Sequence, residues 1–246
     1  MSERLHAGAT RAAPALQATP GRTRTLVGGA IGHFIEWYDW SIYGFLAGIF
    51  AAQMFPSDDP TASLIASFSV FAIGFLGRPI GAFVLSPLAD KYGRRTLLSA
   101  TIIMAGIGGL VIALCPTYAQ IGIAAPILIV AARLLQGFSA GGEYQIAIAF
   151  LNEHAGTRNR AFGASPQQVS IGVSVLVATG VASLTTSSLT PEALASWGWR
   201  VPFLIGAAMS LFGLYLRRGL AETPAFEKTE RGHSVSAVSI LTSIAE

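Results

Sequence analysis

The chain has 246 residues, of which 52% are hydrophobic and only 12% are charged, and its mean hydropathy is +0.56. Because this composition is too apolar for a soluble domain, it predicts an integral membrane protein whose surroundings are the lipid bilayer. The formal net charge is +3, but the basic residues form no continuous stripe, so nucleic acid is not an expected partner. The single cysteine, Cys115, excludes an intrachain disulfide.

Apolar runs of membrane-spanning length follow one another along the chain. Residues 1–25 contain four arginines and no periodic apolar face, and they are predicted to form a disordered cytoplasmic tail. Because lipid cannot satisfy backbone polar groups, each run is expected to be a helix, and the predicted fold class is an all-α membrane protein. Six spans are predicted, at 26–50, 62–85, 96–115, 123–150, 163–186 and 200–216, followed by a cytoplasmic loop at 217–246.

The lysines and arginines indicate how the spans are oriented. They concentrate in the N-terminal tail, in the loops after spans two and four, and in the segment after span six. The other three loops, at 51–61, 116–122 and 187–199, contain none. Since basic loops stay on the cytoplasmic side, both termini are predicted to be cytoplasmic in a multi-pass protein of the cell inner (plasma) membrane.

Span one contains two carboxylates near the predicted middle of the bilayer. Glu36 and Asp39 are three residues apart and share one helix face. A carboxylate at this depth, close to an arginine, suits a group that takes up and releases a proton. The alternative is that one of the acids only neutralises Arg133 as a fixed ion pair. His33, one turn away, is interpreted as a packing or hydrogen-bonding residue.

Spans two and four contribute the remaining candidate residues for proton coupling or substrate binding, which are Arg78, Arg133, Gln136 and Glu143. A charge inside a span costs at least about 2.5 kcal/mol and therefore usually faces a partner or a watery cavity. Arg133 and Glu143 are ten residues apart and cannot pair with each other. We expect Arg133 at the depth of Asp39 and Glu143 nearer Arg78. Small residues should let a neighbouring helix approach span four at Gly137, Ala140, Gly141 and Gly142.

The sequence offers no coherent set of catalytic residues. His33 and Glu36 lack a nearby third ligand for a metal site. Neither a G-x-S-x-G elbow nor a phosphate-binding loop is present. An enzyme is therefore not predicted, and no cofactor or metal is expected beyond a proton gradient.

Two stretches carry a family resemblance. Residues 86–95 read SPLADKYGRR and resemble the G-x-L-A-D-x-x-G-R-[RK] motif of the major facilitator superfamily, with Ser86 in place of its first glycine. Residues 135–160 resemble the superfamily's sugar-transporter-type signature, and further segments resemble the metabolite:proton symporter family. The sugar-transporter-type signature is matched at Gly137, Phe138, Gly141, Phe150, Glu153 and Arg160. The segments that resemble the metabolite:proton symporter family include 36–39, 77–79, 133–137, 141–143, 199–203 and 222–226.

The resemblance implies that the chain is the N-terminal six-helix bundle of a twelve-helix transporter. Spans one, two, four and five would line a central cavity for a small organic acid or zwitterion, carried together with protons by alternating access. It also implies a cytoplasmic gate in which Asp90, Arg94 and Glu153 form ion pairs. Further gate residues would be Gly93, Arg95 and Arg160.

Two alternatives stay open at this point. The chain has only six predicted spans, so its expected partner is a missing six-helix half, either in a longer protein of which it is a fragment or in a second copy of itself. The rival function is a non-transporting membrane receptor or sensor that binds a small metabolite.

Overall fold

The computed structural model describes residues 22–155, 160–222 and 226, and the regular secondary structure of these residues is helical. The predicted all-α fold class is confirmed. Most of the predicted tail at 1–25 and of the loop at 217–246 lies outside the described residues. The helices are α1 (Arg22–Met54), α2 (Pro60–Tyr92), α3 (Arg94–Leu114), α4 (Tyr118–Ile121), α5 (Ala124–Ala155), α6 (Arg160–Ser188), α7 (Pro191–Ala193) and α8 (Arg200–Arg217), with a π-helical segment at Leu194–Gly198 before α8.

Each predicted span overlaps one long helix, and most of these helices extend several residues further than predicted. Helices α2, α3, α5 and α6 are long and apolar enough to cross a membrane. Helix α8 and the bent segment before it, Pro191–Gly198, form a further candidate span with a bend of 41°. Helix α1 is 33 residues long but falls outside this apolar set, and its role as a span stays a prediction.

The junction between α2 and α3 is shorter than expected. The predicted spans leave residues 86–95 as a loop, but α2 continues through Asp90 and Lys91 and only Gly93 separates it from α3. Gly93 has a φ of 95°, a backbone conformation that residues with a side chain rarely adopt. The charged residues of the motif therefore lie on two helix ends that meet at one glycine.

Helices α2 and α5 pack so closely that their backbones touch. A Cβ atom on Gly137 would collide with the carbonyl oxygen of Gly74, and one on Gly141 with the carbonyl oxygen of Arg78. The close approach expected at the small residues of span four is present, and its partner is α2. Elsewhere α1 packs along α6, and α3 lies between α5 and α8.

The buried side chains form two apolar clusters separated by a polar layer. One cluster includes Tyr43, Phe50 and Phe203, and the other includes Leu98 and Phe150. Buried ionisable side chains lie between the two clusters along α1 and α5. Burying a charge costs free energy, so packing alone does not explain these residues. This layer defines the candidate site: His33, Glu36, Asp39, Thr101, Arg133, Gln136, Ser139, Glu143 and Arg217.

Candidate functional site

Asp39 and Arg133 are connected through an amide side chain. Arg133 Nη1 donates to Gln136 Oε1 at 2.8 Å, and Gln136 Nε2 donates to Asp39 Oδ2 at 3.1 Å. Among the described residues, no direct ion pair within 4 Å joins Arg133 to Asp39. The fixed ion pair considered from the sequence is therefore replaced by a three-residue chain of hydrogen bonds, in which Gln136 keeps the two charges apart.

Several polar atoms of this group have no partner in the described part of the chain. They are Oδ1 of Asp39 and both Nε and Nη2 of Arg133. Instead, the Arg133 guanidinium lies over aromatic rings, at 4.1 Å from the ring centroid of Trp40 and 4.4 Å from that of Tyr43. Aromatic faces stabilise a buried cation without neutralising it. Arg133 and Asp39 thus both keep hydrogen-bonding capacity inside the bundle.

Glu36 has a direct cationic partner on α2. Arg78 Nη2 donates to Glu36 Oε1 at 2.6 Å, and the imidazole of His33 lies 3.3 Å from Glu36 Oε2. The Trp37 indole donates to the second nitrogen of His33, so the histidine is a hydrogen-bonding residue, as interpreted from the sequence. The Arg78 side chain is 28% exposed, whereas Glu36 is buried. This pair connects the buried layer to the surface of the bundle.

Glu143 pairs with Arg217 and not with Arg78, although Gly141, two residues before Glu143, lies against the backbone of Arg78 as the expected depth requires. Arg217 Nη2 donates to Glu143 Oε1, and the Thr101 hydroxyl donates to the other carboxylate oxygen. Arg217 Nε also donates to the Gly28 carbonyl oxygen at 3.0 Å. Sequence reasoning missed Arg217 by counting it in the cytoplasmic segment. The available signal was its position directly after an apolar run, together with an acid in span four that lacked a partner.

A small cavity touches all three buried carboxylates. Its volume is about 10 Å³, and its lining includes Glu36, Asp39 and Glu143 together with Gln136 and Ser139. The lining comes from α1, α3 and α5, so the cavity lies within the bundle. The described residues contain no group of His, Cys, Asp and Glu side chains that could hold a metal ion.

The motif between α2 and α3 forms a second charged cluster. Arg94 Nη2 lies 2.9 Å from Asp90 Oδ1 and 3.3 Å from Glu153 Oε1, so one guanidinium connects the ends of α2, α3 and α5. Arg95 Nη2 donates to the Arg218 carbonyl oxygen at 2.7 Å. The side chain of Arg160, the remaining predicted gate residue, lies outside the described residues.

Glu222 is a member of this cluster that carries no predicted role. Its carboxylate accepts from the backbone N–H of Arg94 at 3.0 Å and of Arg95 at 3.1 Å. These N–H groups belong to the first turn of α3 and have no partner within their own helix. Glu222 therefore caps α3 from the segment that follows α8.

Apolar helices of membrane-spanning length here enclose buried, incompletely paired charges, an arrangement that is typical of membrane transport proteins. The chain belongs to the sugar (and other) transporter family, which its sequence matches over residues 26–245.

Relatives with assigned names support this class. The chain is 40% identical over 209 residues to the glycine betaine/proline/ectoine/pipecolic acid transporter OusA of Dickeya dadantii, covering 85% of this chain and 42% of the relative. It is 38% identical over 205 residues to the proline/betaine transporter of Salmonella typhimurium, covering 83% of this chain and 41% of the relative. The chain therefore spans about two fifths of the length of these curated relatives.

Solved structures confirm the fold predicted from the motifs. The partially occluded inward-open xylose transporter XylE from E. coli matches with a TM-score of 0.77 at 19% identity, over 92% of this chain and 54% of that chain. XylE bound to 6-bromo-6-deoxy-D-glucose, described as a proton:xylose symporter of the major facilitator superfamily, matches with a TM-score of 0.74 at 19% identity, over 87% of this chain and 47% of that chain. The described helices are thus arranged as in part of these major facilitator superfamily structures.

Proposed function

We propose that the chain forms one half of a proton-coupled symporter for a small zwitterion of the proline and betaine type. The relatives named above are transporters of such compounds. A small organic acid, the other substrate class expected from the sequence, shares the carboxylate that the arginines would bind. The observation that carries the proposal is the chain Asp39–Gln136–Arg133 inside the bundle.

Asp39 is the carboxylate best suited to carry the proton. Its side chain is only 2% exposed, and its described hydrogen-bond partner is an amide, whereas Glu36 is held by the guanidinium of Arg78. A buried charge without a direct counter-ion costs several kcal/mol. Uptake of a proton by Asp39 removes that cost. When Asp39 releases the proton, its carboxylate is connected to the Arg133 cation through the Gln136 amide.

Arg78 is the best candidate for binding the substrate carboxylate. It is the partly exposed cation of the site, and it lies 4.9 Å from the Trp40 ring centroid and 4.8 Å from that of Phe75. The two rings hold the guanidinium in place through cation–π contacts. A guanidinium binds carboxylates through paired N–H groups, so Arg78 can bind the carboxylate that a zwitterion and an organic acid share.

The basic residues support an orientation with both termini in the cytoplasm of the inner membrane and the Asp90–Arg94–Glu153 cluster as a cytoplasmic gate. Ser57 and Lys91 are exposed at opposite ends of the bundle. A membrane-impermeant maleimide should label Ser57→Cys in intact cells and Lys91→Cys only after permeabilisation. The reverse pattern contradicts this orientation.

The transport proposal is tested with protein purified from its complete open reading frame and reconstituted in proteoliposomes. Labelled proline and glycine betaine should accumulate when the outside is more acidic than the inside, and a protonophore should abolish accumulation. Asp39→Asn should remove gradient-driven accumulation while labelled substrate still exchanges across the membrane. Binding without flux would instead identify a receptor, and gradient-driven accumulation by Asp39→Asn would refute the assignment of the proton carrier.

A further inference from the structure

His33 lies on the face of α1 that also carries Glu36 and Trp37, which follow it by three and four residues. Its Nδ1 atom is 3.3 Å from Glu36 Oε2, and its Nε2 atom accepts the Trp37 indole N–H at 3.2 Å. His33 is 2% exposed, and its ring centroid lies 5.6 Å from that of Tyr144 on α5. Each ring nitrogen of this buried imidazole therefore faces a defined partner on the same helix.

The Trp37 contact decides where the imidazole proton lies. An indole N–H can only donate, so His33 Nε2 has to accept and carries no hydrogen. The proton of the neutral imidazole is then on Nδ1, the nitrogen that faces Glu36 Oε2. A histidinium donates from both nitrogens and would leave the indole N–H without an acceptor. Trp37 thus makes His33 a hydrogen-bond donor to Glu36.

Glu36 divides its two carboxylate oxygens between two donors. Oε2 accepts from His33, whereas Oε1 accepts from Arg78 Nη2 at 2.6 Å. In the part of the chain that the structure describes, a single hydrogen bond joins Glu36 to Arg78, and Arg78 Nε has no partner. Pairs of arginine and carboxylate are frequently bidentate. Because His33 holds the second oxygen, Arg78 keeps N–H groups for another anion.

The exposure of these residues separates the contacts within the protein from the side on which a substrate can arrive. Glu36 is 6% exposed, whereas the Arg78 side chain is 28% exposed. The Arg78 guanidinium also lies 5.9 Å from the Trp37 ring centroid, so Trp37 is close to both ends of the hydrogen-bonded chain. His33 and Glu36 hold the guanidinium from its buried side.

We propose that His33 and Trp37 are positioning residues that keep Arg78 available for the carboxylate of the substrate. The inference rests on the proposed function, since it takes Arg78 as the group that binds this carboxylate. Without the His33 donor, Glu36 Oε2 can turn toward Arg78 and accept from a second N–H group. The substrate carboxylate then competes with Glu36 for the same donors. Neither His33 nor Trp37 has to contact the substrate for this effect.

The inference is tested by the apparent KM for exchange of labelled glycine betaine and proline in proteoliposomes that contain the reconstituted full-length protein. His33→Leu removes the donor but keeps an apolar side chain that fills space. It should raise KM about tenfold, which is the scale of a lost hydrogen bond to a charged group. The maximal exchange rate should change less than about twofold, because a rise in KM alone reports lost binding.

His33→Asn is the matched control for this variant. Its amide nitrogen takes the position of Nδ1 and can donate to Glu36, so KM should stay near that of the wild type. A role in packing alone gives the opposite order, because asparagine is smaller and more polar than leucine.

Trp37→Phe tests the other member of the chain. Phenylalanine keeps an aromatic ring beside Arg78 but has no N–H group, so His33 can carry its proton on either nitrogen. KM should therefore rise, by a smaller factor than in His33→Leu.

The outcomes separate this inference from the transport proposal. Wild-type protein that exchanges neither compound contradicts the proposed function itself. If the wild type exchanges one of them, the inference is overturned when folded His33→Leu or Trp37→Phe keeps the wild-type KM. It is also overturned when His33→Asn raises KM as much as His33→Leu. If His33→Leu does not fold, as judged by thermal unfolding in detergent, Trp37→Phe decides.

Discussion

Arg217 and Glu143 form an ion pair inside the bundle although they are 74 residues apart in sequence. Arg217 is completely buried and Glu143 is 3% exposed, so neither charge is solvated by bulk water. Together with Thr101 and the Gly28 carbonyl oxygen, the pair joins α1, α3, α5 and α8. The last residue of α8 is therefore part of the core.

Removing one member of this pair should destabilise the protein strongly. Arg217→Met leaves Glu143 buried without its counter-ion, and the expected loss is about 3–5 kcal/mol in the free energy of unfolding. The double variant Arg217→Met with Glu143→Leu should recover most of this loss, because two apolar side chains need no partner. Thermal unfolding in detergent measures both. Equal destabilisation by the single and double variants contradicts the prediction.

Gln136 should be needed to keep Asp39 and Arg133 in their hydrogen-bonded arrangement. Gln136→Leu removes a donor and an acceptor from two buried charged groups, and we expect a loss of about 1–3 kcal/mol together with loss of gradient-driven uptake. Gln53→Leu is the matched control, because the Gln53 amide donates to the Ala195 carbonyl oxygen outside the polar layer. Equal loss of uptake in both variants would show that Gln136 has no special role.

Asp90→Asn should lower uptake without unfolding the protein or removing it from the membrane. Asp90 is 69% exposed, so its pair with Arg94 contributes at most about 1 kcal/mol to stability. A change of about 1 kcal/mol in the free-energy difference between two transport conformations shifts their equilibrium about fivefold, and uptake should fall by up to that factor. Asp58→Asn is the control, since Asp58 is exposed near the opposite end of α2. Unchanged uptake in Asp90→Asn, at equal membrane levels, argues against the gate.

Glu222 should stabilise the start of α3 through its hydrogen bonds to the first backbone amides. Glu222→Ala removes this cap and should cost about 1 kcal/mol, which is typical of a lost helix cap. Glu222→Gln keeps a carbonyl acceptor and should lose less. The thermal midpoints of the three proteins test this order. A midpoint for Glu222→Ala equal to that of wild type would show that the cap contributes nothing.

Cys115 should react slowly with maleimides near neutral pH. Burial raises the pKa of the Cys115 thiol, although nearby Arg200 acts in the opposite direction. The thiolate is the reactive form, so labelling should increase only as the pH rises above the ordinary thiol range of about 8.5. Exposed Ser57→Cys, introduced in a Cys115→Ser background, should react quickly at the same pH. Equal rates for the two sites would contradict the prediction.

The general fold could be read from the sequence because apolar run length and basic loops are local properties. Asp90, Arg94 and Glu153 were also accessible, since a recognisable motif contains them. The pairing of Glu36 with Arg78 could not be predicted, because it depends on which face of α2 turns toward α1. Periodicity along one helix does not specify contacts between helices.

Arg217 shows the same difficulty at a helix end. An arginine after an apolar run reads as a cytoplasmic charge, yet the side chain turns back between α1 and α3 to reach Glu143. The capping role of Glu222 could not be predicted for a related reason, since the helix that it caps begins 128 residues earlier in the sequence. Both contacts depend on where distant helix ends meet in space.

The backbone contact between α2 and α5 limits how these two helices can move in the proposed transport cycle. An interface made of side chains can adjust through rotamer changes, but a carbonyl oxygen resting on Gly137 or Gly141 has no side-chain torsion to change. The two helices should therefore tilt together as a single rigid unit. Since Arg78 lies on one helix and Arg133 on the other, the backbone positions of these two arginines should keep their spacing during the proposed cycle.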